Sequence, residues 1–167
     1  MIKPEEISAN DKFIKNISIV LSQYHSEMMS EVIKRGMWHR VKSGYAVSRP
    51  SLGYSTTETP GLYKINRQGR ALRETLNKLA NGETNIESAT INIALIFYGS
   101  NVIKSWSTTK TKRLLSDTYY AGYISYKGQL FKGLHEPLIT EGEHKKLLEL
   151  VKNQNGNNFL KPFDKNI

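Results

Sequence analysis

The hydroxyl and cationic side chains best placed for chemistry lie together in one short segment: Ser107, Thr108, Thr109, Lys110, Lys112 and Arg113. Ser107 or Thr108 can cap a helix by accepting hydrogen bonds from its unpaired backbone N–H groups. Leu114 and Leu115 supply an inward edge, which leaves the cations for the other faces. Lysine and arginine donate hydrogen bonds to guanine edges, and a threonine methyl group can contact the methyl group of thymine. The segment predicts a short basic helix suited to a DNA major groove, although a solvated helix on any basic protein would carry similar residues.

Residue patterns typical of catalysis or metal binding do not occur in the sequence. None of the four histidines shows a spacing such as His-Glu-x-x-His: His25, His39, His135 and His144. There is no glycine-rich phosphate loop, and no serine stands in a nucleophile-elbow pattern. The pair His135-Glu136 is more typical of residues that fix a loop than of an acid and a base. We therefore predict no catalytic residue, metal or cofactor in this chain.

Two helices are predicted before the basic helix and would position it. Residues 68–80 predict a helix with Leu72, Leu76 and Leu79 inward, ended by Asn81-Gly82. The sequence Thr84-Asn-Ile-Glu is a capping box that opens another helix to about residue 97. A loop through Gly99 then leads to the basic helix. The helix that ends at about residue 97 and the basic helix form a helix-turn-helix candidate. The turn between them is longer than the usual three or four residues.

Short strands and one further helix complete the predicted domain. Residues 62–65 alternate weakly, and residues 123–126 and 129–132 flank a two-residue hairpin turn at Lys127-Gly128. Thr140-x-x-Glu143 caps a last helix with Leu147, Leu148 and Val151 inward. The predicted fold class is a helix-rich α+β fold with a helix-turn-helix-like element and short β-hairpins. We place the domain at residues 44–152 and a frayed polar tail at residues 153–167.

A long helix is predicted before this domain, within residues 1–43. No proline or glycine interrupts residues 11–35, and apolar residues recur every three or four positions: Ile14, Ile17, Leu21, Tyr24, Met28 and Val32. Such an apolar stripe must be buried somewhere, on the domain or on another chain. We therefore predict that Ile14, Ile17, Leu21, Tyr24 and Met28 either pack on the domain or drive self-association, which would make the chain a possible homo-oligomer.

Positive charge is concentrated in two blocks of the chain. The formal net charge is +9, which points to a polyanionic partner. Residues 32–57 contain no acid and five cations: Lys34, Arg35, Arg40, Lys42 and Arg49. Residues 88–135 contain six cations and only one acid, Asp117. We predict that the first block grips DNA phosphates and that the basic helix in the second block reads base sequence.

Composition excludes several other classes of protein. The chain has 167 residues and 38% hydrophobic residues, enough for one domain with a core plus an appendage. It has no cysteine, which excludes disulfides and cysteine-ligated zinc. Its longest apolar runs fall far short of the ~18 residues of a membrane span, and the N-terminus lacks the apolar core of a signal peptide. These features predict a cytoplasmic protein without a membrane partner.

Several segments, in order, resemble one known family. Trp106-Ser-x6-Leu-Leu, Tyr120-x-Gly-Tyr and His135-Glu-Pro-Leu-Ile-Thr-Glu resemble the "recombinase" DNA-binding domain of large serine recombinases, in the resolvase/invertase superfamily. Gly44-Tyr45 with Pro50-Ser-Leu-Gly-Tyr54 resemble the entry to that domain, and residues 70–84 are similar to its next helix and the glycine that ends it. The resemblance covers residues 13–151. It departs at Asp117-Thr118, where the family often has Asn-Pro.

This resemblance implies both a role for the chain and a missing part. Residues 11–32 resemble the dimerisation helix that links the catalytic domain of these recombinases to their DNA-binding domain, and Tyr54 joins the residues expected to contact DNA. The family's serine nucleophile lies upstream of that helix, and its cysteine-ligated zinc ribbon follows the DNA-binding domain. We therefore expect a fragment or natural truncation that binds double-stranded DNA without cutting it.

Three functions are compatible with the sequence. The first is the sequence-specific DNA-binding portion of a serine site-specific recombinase or integrase of a mobile genetic element, acting in DNA recombination or integration. The second is a helix-turn-helix transcription regulator that dimerises through its N-terminal helix. The third is an RNA-binding module in which Tyr119, Tyr120 and Tyr123 stack on bases.

Overall fold

The computed structural model describes residues 8–99 and 106–155 of the chain. It is a helix-rich α+β structure, as predicted, with five α-helices and two antiparallel hairpins among the described residues. The helices are α1 Ala9–Lys42, α2 Arg67–Ala80, α3 Ile86–Tyr98, α4 Thr108–Leu115 and α5 Glu141–Asn155. The strands are β1 Tyr54–Thr56, β2 Tyr63–Ile65, β3 Tyr123–Tyr126 and β4 Gln129–Lys132, and a 3₁₀ helix spans Thr118–Ala121.

The chain divides into two compact units, and the division falls between His39 and Arg40, inside α1. The first unit contains α1 up to His39. Twelve of its large apolar side chains are between 39% and 66% exposed: Phe13, Ile14, Ile17, Ile19, Val20, Leu21, Tyr24, Met28, Met29, Val32, Ile33 and Met37. The predicted stripe is therefore present on the helix surface, and residues such as Ile19 add apolar area outside it. Among the described residues, no helix is both long and apolar enough to cross a membrane.

The second unit, from Arg40 onwards, holds the core. Side chains from each of its helices and from the last turn of α1 are almost completely buried: Val41, Leu72, Leu76, Leu79, Ile93, Leu115, Leu147 and Val151. Burying one such side chain is worth roughly 1.5–3 kcal/mol relative to leaving it in water. This core holds α2, α3, α4 and α5 in one body, and so it fixes the position of the basic helix α4.

Local capping explains where these helices begin. The Asn66 side chain accepts from the Gly69 N–H at 2.8 Å at the start of α2, and Thr140 and Glu143 cap α5 reciprocally, as predicted. At α3 the predicted capping box is wrong by one position. Asn85 rather than Thr84 is the N-cap, and its side chain accepts from the Ser88 N–H at 2.8 Å. Asparagine is as good a cap as serine and better than threonine, which explains why Asn85 rather than Thr84 caps the helix.

Two hairpins complete the second unit. The β3–β4 hairpin has the predicted register, with Tyr126 paired to Gln129 around the Lys127-Gly128 turn. Strand β2 was predicted, but its partner β1 was not, because β1 lies in a stretch whose glycine and proline residues favour turns. Helix α5 reaches Asn155, so residues 153–155 of the predicted tail are helical. The remainder of that tail lies outside the described residues.

Candidate nucleic-acid interface

Helix α4 has a buried side and an exposed side. Thr111, Leu114 and Leu115 lie three and four residues apart and are buried, and Thr111 has no exposed surface. The exposed residues are Thr109, Lys110 and Arg113, while Thr108 and Lys112 are partly exposed. Helical spacing of 3.6 residues per turn puts Thr109, Lys110 and Arg113 on one face. The sequence-predicted residues of this helix are therefore presented together.

The start of α4 is fixed by Ser107 and Trp106. Ser107 is the N-cap, and its hydroxyl accepts from the Lys110 N–H at 3.4 Å. The Trp106 indole Nε1–H donates to the buried Thr111 hydroxyl at 2.9 Å, and the Lys110 Nζ lies 5.8 Å from the centre of the Trp106 ring. A buried hydroxyl without such a donor would be costly, so this bond holds the inner side of α4 in place. Sequence patterns gave no sign of it, because the pairing depends on how the helix packs.

The single acid of the second basic block has a structural role. The Asp117 side chain accepts from the Tyr119 N–H at 3.0 Å at the start of the 3₁₀ helix, and from the Ser51 hydroxyl at 3.3 Å. Aspartate and asparagine are both favoured at such caps, so the departure from the family's Asn-Pro pattern retains a side chain able to cap here. The carboxylate is thus held by backbone and hydroxyl donors beside a strongly cationic helix.

Cations of the first block are divided between the two units. Lys34 and Arg35 are exposed on α1 in the first unit, whereas Arg40, Lys42 and Arg49 are exposed in the second unit. Arg40 also has contacts inside the unit. Its guanidinium donates to the Pro60 carbonyl and lies 5.5 Å from the centre of the Tyr45 ring. Arg40 therefore joins the last turn of α1 to the following loops, a role that its charge alone did not reveal.

The structure corrects the prediction that Tyr54 contacts DNA. Tyr54 is only 5% exposed, and its hydroxyl donates to the Glu136 carbonyl at 2.8 Å. Its ring packs edge-on against Tyr119 at 5.1 Å and against His135 at 5.7 Å between centroids. Burial raises its pKa above the ordinary value of a tyrosine. From the sequence alone, an aromatic residue after Gly53 could lie either on the DNA-binding surface or in the core. Its packing in the folded unit places it in the core.

The same aromatic cluster argues against base stacking by its tyrosines. Tyr119 and Tyr120 are buried, and the Tyr120 hydroxyl donates to the Leu52 carbonyl at 3.1 Å. Tyr123 is partly exposed, and its hydroxyl hydrogen bonds with Glu141, which raises its pKa. Two of the three tyrosines of the RNA-binding alternative are therefore unavailable to an RNA base.

His135 and Glu136 fix a loop, as the sequence indicated. The Tyr119 carbonyl can only accept, so the His135 Nε2 that lies 2.8 Å from it carries the proton. The His135 and Tyr119 rings stack with centroids 3.7 Å apart. Arg73 pairs with Glu136 at 3.0 Å and donates to the carbonyls of Pro137 and Leu138, both at 2.9 Å. Within residues 8–99 and 106–155, no group of three or more potential ligands could hold a metal ion.

Comparison with known proteins supports the fold. Neither protein-family models nor curated proteins gave a match. Among solved structures, the chain is similar to one described as a complex of an LSR, a large serine recombinase, with DNA, with 20% identity and a TM-score of 0.57. It is also similar to one from work on the sequence requirements of the Listeria innocua prophage attP site, with 22% identity and a TM-score of 0.54.

These similarities confirm the resemblance at the level of fold. They cover 73% and 72% of this chain, but only 38% of the first protein and 51% of the second. The chain thus spans between about a third and a half of the proteins it matches. It shares the fold of a region of a large serine recombinase.

Proposed function

We propose that this chain binds double-stranded DNA sequence-specifically, as the DNA-binding portion of a serine site-specific recombinase or integrase of a mobile genetic element. The observation that carries this proposal is the division of α4 into a buried Thr111–Leu114–Leu115 side and an exposed Thr109–Lys110–Arg113 side. A helix of about 10–12 Å diameter fits the major groove, which is about 12 Å wide. The exposed side would then face base edges.

Charge supports the same partner. The net charge of +9 favours association with a polyanion. In the second unit, which contains α4, Arg40 and Arg49 are exposed cations outside that helix. Contacts from such residues to phosphates supply affinity and position the protein, whereas contacts from α4 to bases supply specificity. The proposal therefore assigns sequence discrimination to α4 and salt-dependent affinity to the first block.

Similarity to recombinase structures supports the biological context. Their descriptions name a DNA complex and a prophage attP site, and both share the fold of this chain. We propose that the DNA bound by this chain is an attachment or recombination site, and that the exposed apolar side chains of α1 pair with a second copy of the chain. Cleavage and joining would require a serine nucleophile, which we do not assign to any residue of this chain.

The test is selection of duplexes from a pool of genomic fragments at defined salt, followed by affinity measurements on the selected and scrambled duplexes. We expect tighter binding to the selected duplex at two salt concentrations, and weaker binding to both as salt rises. Equal affinity for both duplexes at either concentration would contradict sequence-specific binding. A single-stranded RNA competitor that displaces the duplex efficiently would favour the RNA-binding alternative.

A further inference from the structure

The β3–β4 hairpin is fixed at its base and open at its tip. At the base, the Gly133 N–H donates to the Gly122 carbonyl at 2.8 Å, and Ile124 is buried in the core. At the tip, Lys127 and Gly128 are exposed, and a side chain added at Gly128 would meet nothing within 4 Å. The tip therefore projects from the unit on a rigid base.

Lys127 has a backbone conformation that lysine rarely adopts. Its φ of +49° makes it the one non-glycine residue with positive φ in the described parts of the chain. Two-residue hairpin turns of this kind favour asparagine, aspartate or glycine at the first position, because these residues tolerate the left-handed region. A lysine here is held against the backbone preference, and such outliers cluster at functional positions.

Positive charge is the only charge on this hairpin. Residues 118–134 contain no acid, and Lys127 and Lys132 are their two cations. The Lys127 Nζ lies 5.7 Å from the centre of the Tyr126 ring, so an aromatic face accompanies the ammonium group at the tip. A lone ammonium on a projecting turn, without a neighbouring carboxylate in sequence, has the chemistry of a phosphate contact.

The hairpin follows the helix pair in the chain, separated from α4 by the 3₁₀ helix. Helices α3 and α4 are succeeded by the 3₁₀ helix and then by β3 and β4, all within the second unit. We infer that the tip of this hairpin is a second DNA contact, in which Lys127 binds a backbone phosphate of the duplex whose major groove receives α4. This inference rests on the proposed function, and it assigns Lys127 to affinity rather than to sequence discrimination.

Substitution of Lys127 tests the contact through its salt dependence. Lys127→Asn removes the charge while suiting the left-handed backbone, and Lys127→Arg keeps the charge. With Lys127→Asn, we expect the slope of log affinity against log salt to become shallower by about 0.9, the value for one phosphate contact on duplex DNA. Lys127→Arg should retain the wild-type slope, and thermal melting should show all three proteins folded.

Site-specific crosslinking provides an independent measurement. Because the chain has no cysteine, K127C carries a unique thiol for a photoactivatable label, and K145C places the same label on the exposed surface of α5. We expect K127C to crosslink to a bound duplex more efficiently than K145C. An unchanged salt slope for Lys127→Asn, or absence of a K127C crosslink on a duplex that the wild type binds, would overturn the hairpin contact alone. Failure of the wild type to bind any duplex would instead overturn the proposed function.

Discussion

At the scale of single residues, side chains of similar chemistry have different roles according to burial. Thr109 is exposed on α4, while Thr111, two residues later, is buried and bonded to Trp106. Arg113 is exposed, whereas Arg73 uses its guanidinium to hold the loop before α5. Thr109 and Arg113 are available for an external partner, whereas the buried Thr111 and the partly exposed Arg73 make contacts inside the unit that set the geometry of this surface.

Lys110 and Arg113 should carry sequence discrimination. Lys110→Ala or Arg113→Ala should weaken binding to the selected duplex by about 1–3 kcal/mol if one good base contact is lost, with a smaller effect on a scrambled duplex. Arg49→Ala, in the first basic block, should weaken binding to both duplexes alike. The measurement is a binding series on both duplexes at two salt concentrations. Equal losses on both duplexes for Lys110→Ala and Arg113→Ala would make α4 only another phosphate contact.

Buried histidines should make the second unit sensitive to mild acid. Burial lowers the pKa of His135 and of His144 below the ordinary 6.5, so both are neutral in the folded protein. An unfolded chain binds protons on both from about pH 6.5 downwards. The free energy of unfolding should therefore be highest above pH 6.5 and fall below it, by up to about 1.4 kcal/mol per pH unit for each histidine, until the folded form also takes up protons.

Urea unfolding at pH 7.5 and pH 5.5 measures this effect. His135→Gln should reduce the difference between the two pH values, even if it also lowers stability at both. His25→Gln, on the exposed surface of α1, controls for the loss of a histidine in general. A pH difference that is the same in His135→Gln and in the wild type would exclude His135 as its source.

At the scale of elements, close backbone approach positions α2 against the β1–β2 hairpin. Gly69 lies in the first turn of α2, and a Cβ there would stand 2.1 Å from the Gly53 carbonyl oxygen. Gly142 lies in the first turn of α5, where an added Cβ would meet nothing within 4 Å. Both glycines lie in the first turn of a helix, but only Gly69 is required by its surroundings.

Alanine at these two glycines should have opposite effects. Gly69→Ala should lower the free energy of unfolding by about 1–3 kcal/mol or more, because the helix must move away from Gly53. Gly142→Ala should raise it by up to about 0.5–1 kcal/mol, because alanine loses less backbone entropy in a helix. Denaturant unfolding of both variants compares them directly. A neutral Gly69→Ala would mean that α2 does not pack on Gly53 as described.

Elements with strong local signals could be predicted, and those that depend on packing could not. The periodic leucines and Asn81-Gly82 predicted α2 and its end, and Lys127-Gly128 predicted the register of the β3–β4 hairpin. Strand β1 is only three residues long, and its sequence carries no local pattern that indicates a strand. It forms because it pairs with β2. On α4, the exposed face followed from helical spacing, whereas the burial of Tyr54 and the inward contacts of Arg40 required the folded unit.

At the scale of the whole molecule, the two units differ in how far their large apolar side chains are exposed. Among the described residues, the second unit has a buried core and leaves four large apolar side chains exposed, Ile91, Leu95, Tyr98 and Leu134, whereas α1 in the first unit leaves twelve exposed. So much apolar surface on a single helix is unusual for a protein that acts alone, because contiguous exposed patches typically mark interaction sites. This contrast supports the proposed pairing of α1 with a second copy of the chain.

A pair of matched substitutions tests which side of α1 associates. Leu21 and Ile19 are 52% and 54% exposed, and helical geometry places them roughly 160° apart around the axis. Leu21→Asp should shift the sedimentation profile towards monomer, because it puts a charge in the stripe, and Ile19→Asp should shift it less. If both variants sediment like the wild type at high concentration, the stripe is not the association surface.

The contact between Trp106 and Lys110 gives the molecule an optical reporter of its own. The sequence has two tryptophans, Trp38 and Trp106, so Trp38→Phe leaves the indole that bonds to Thr111 and lies beneath the Lys110 ammonium. A duplex that draws Lys110 towards phosphates or bases would change the electrostatic field at that ring. Fluorescence emission from Trp106 should then report occupancy of the α4 surface in real time, without a label on either the protein or the DNA.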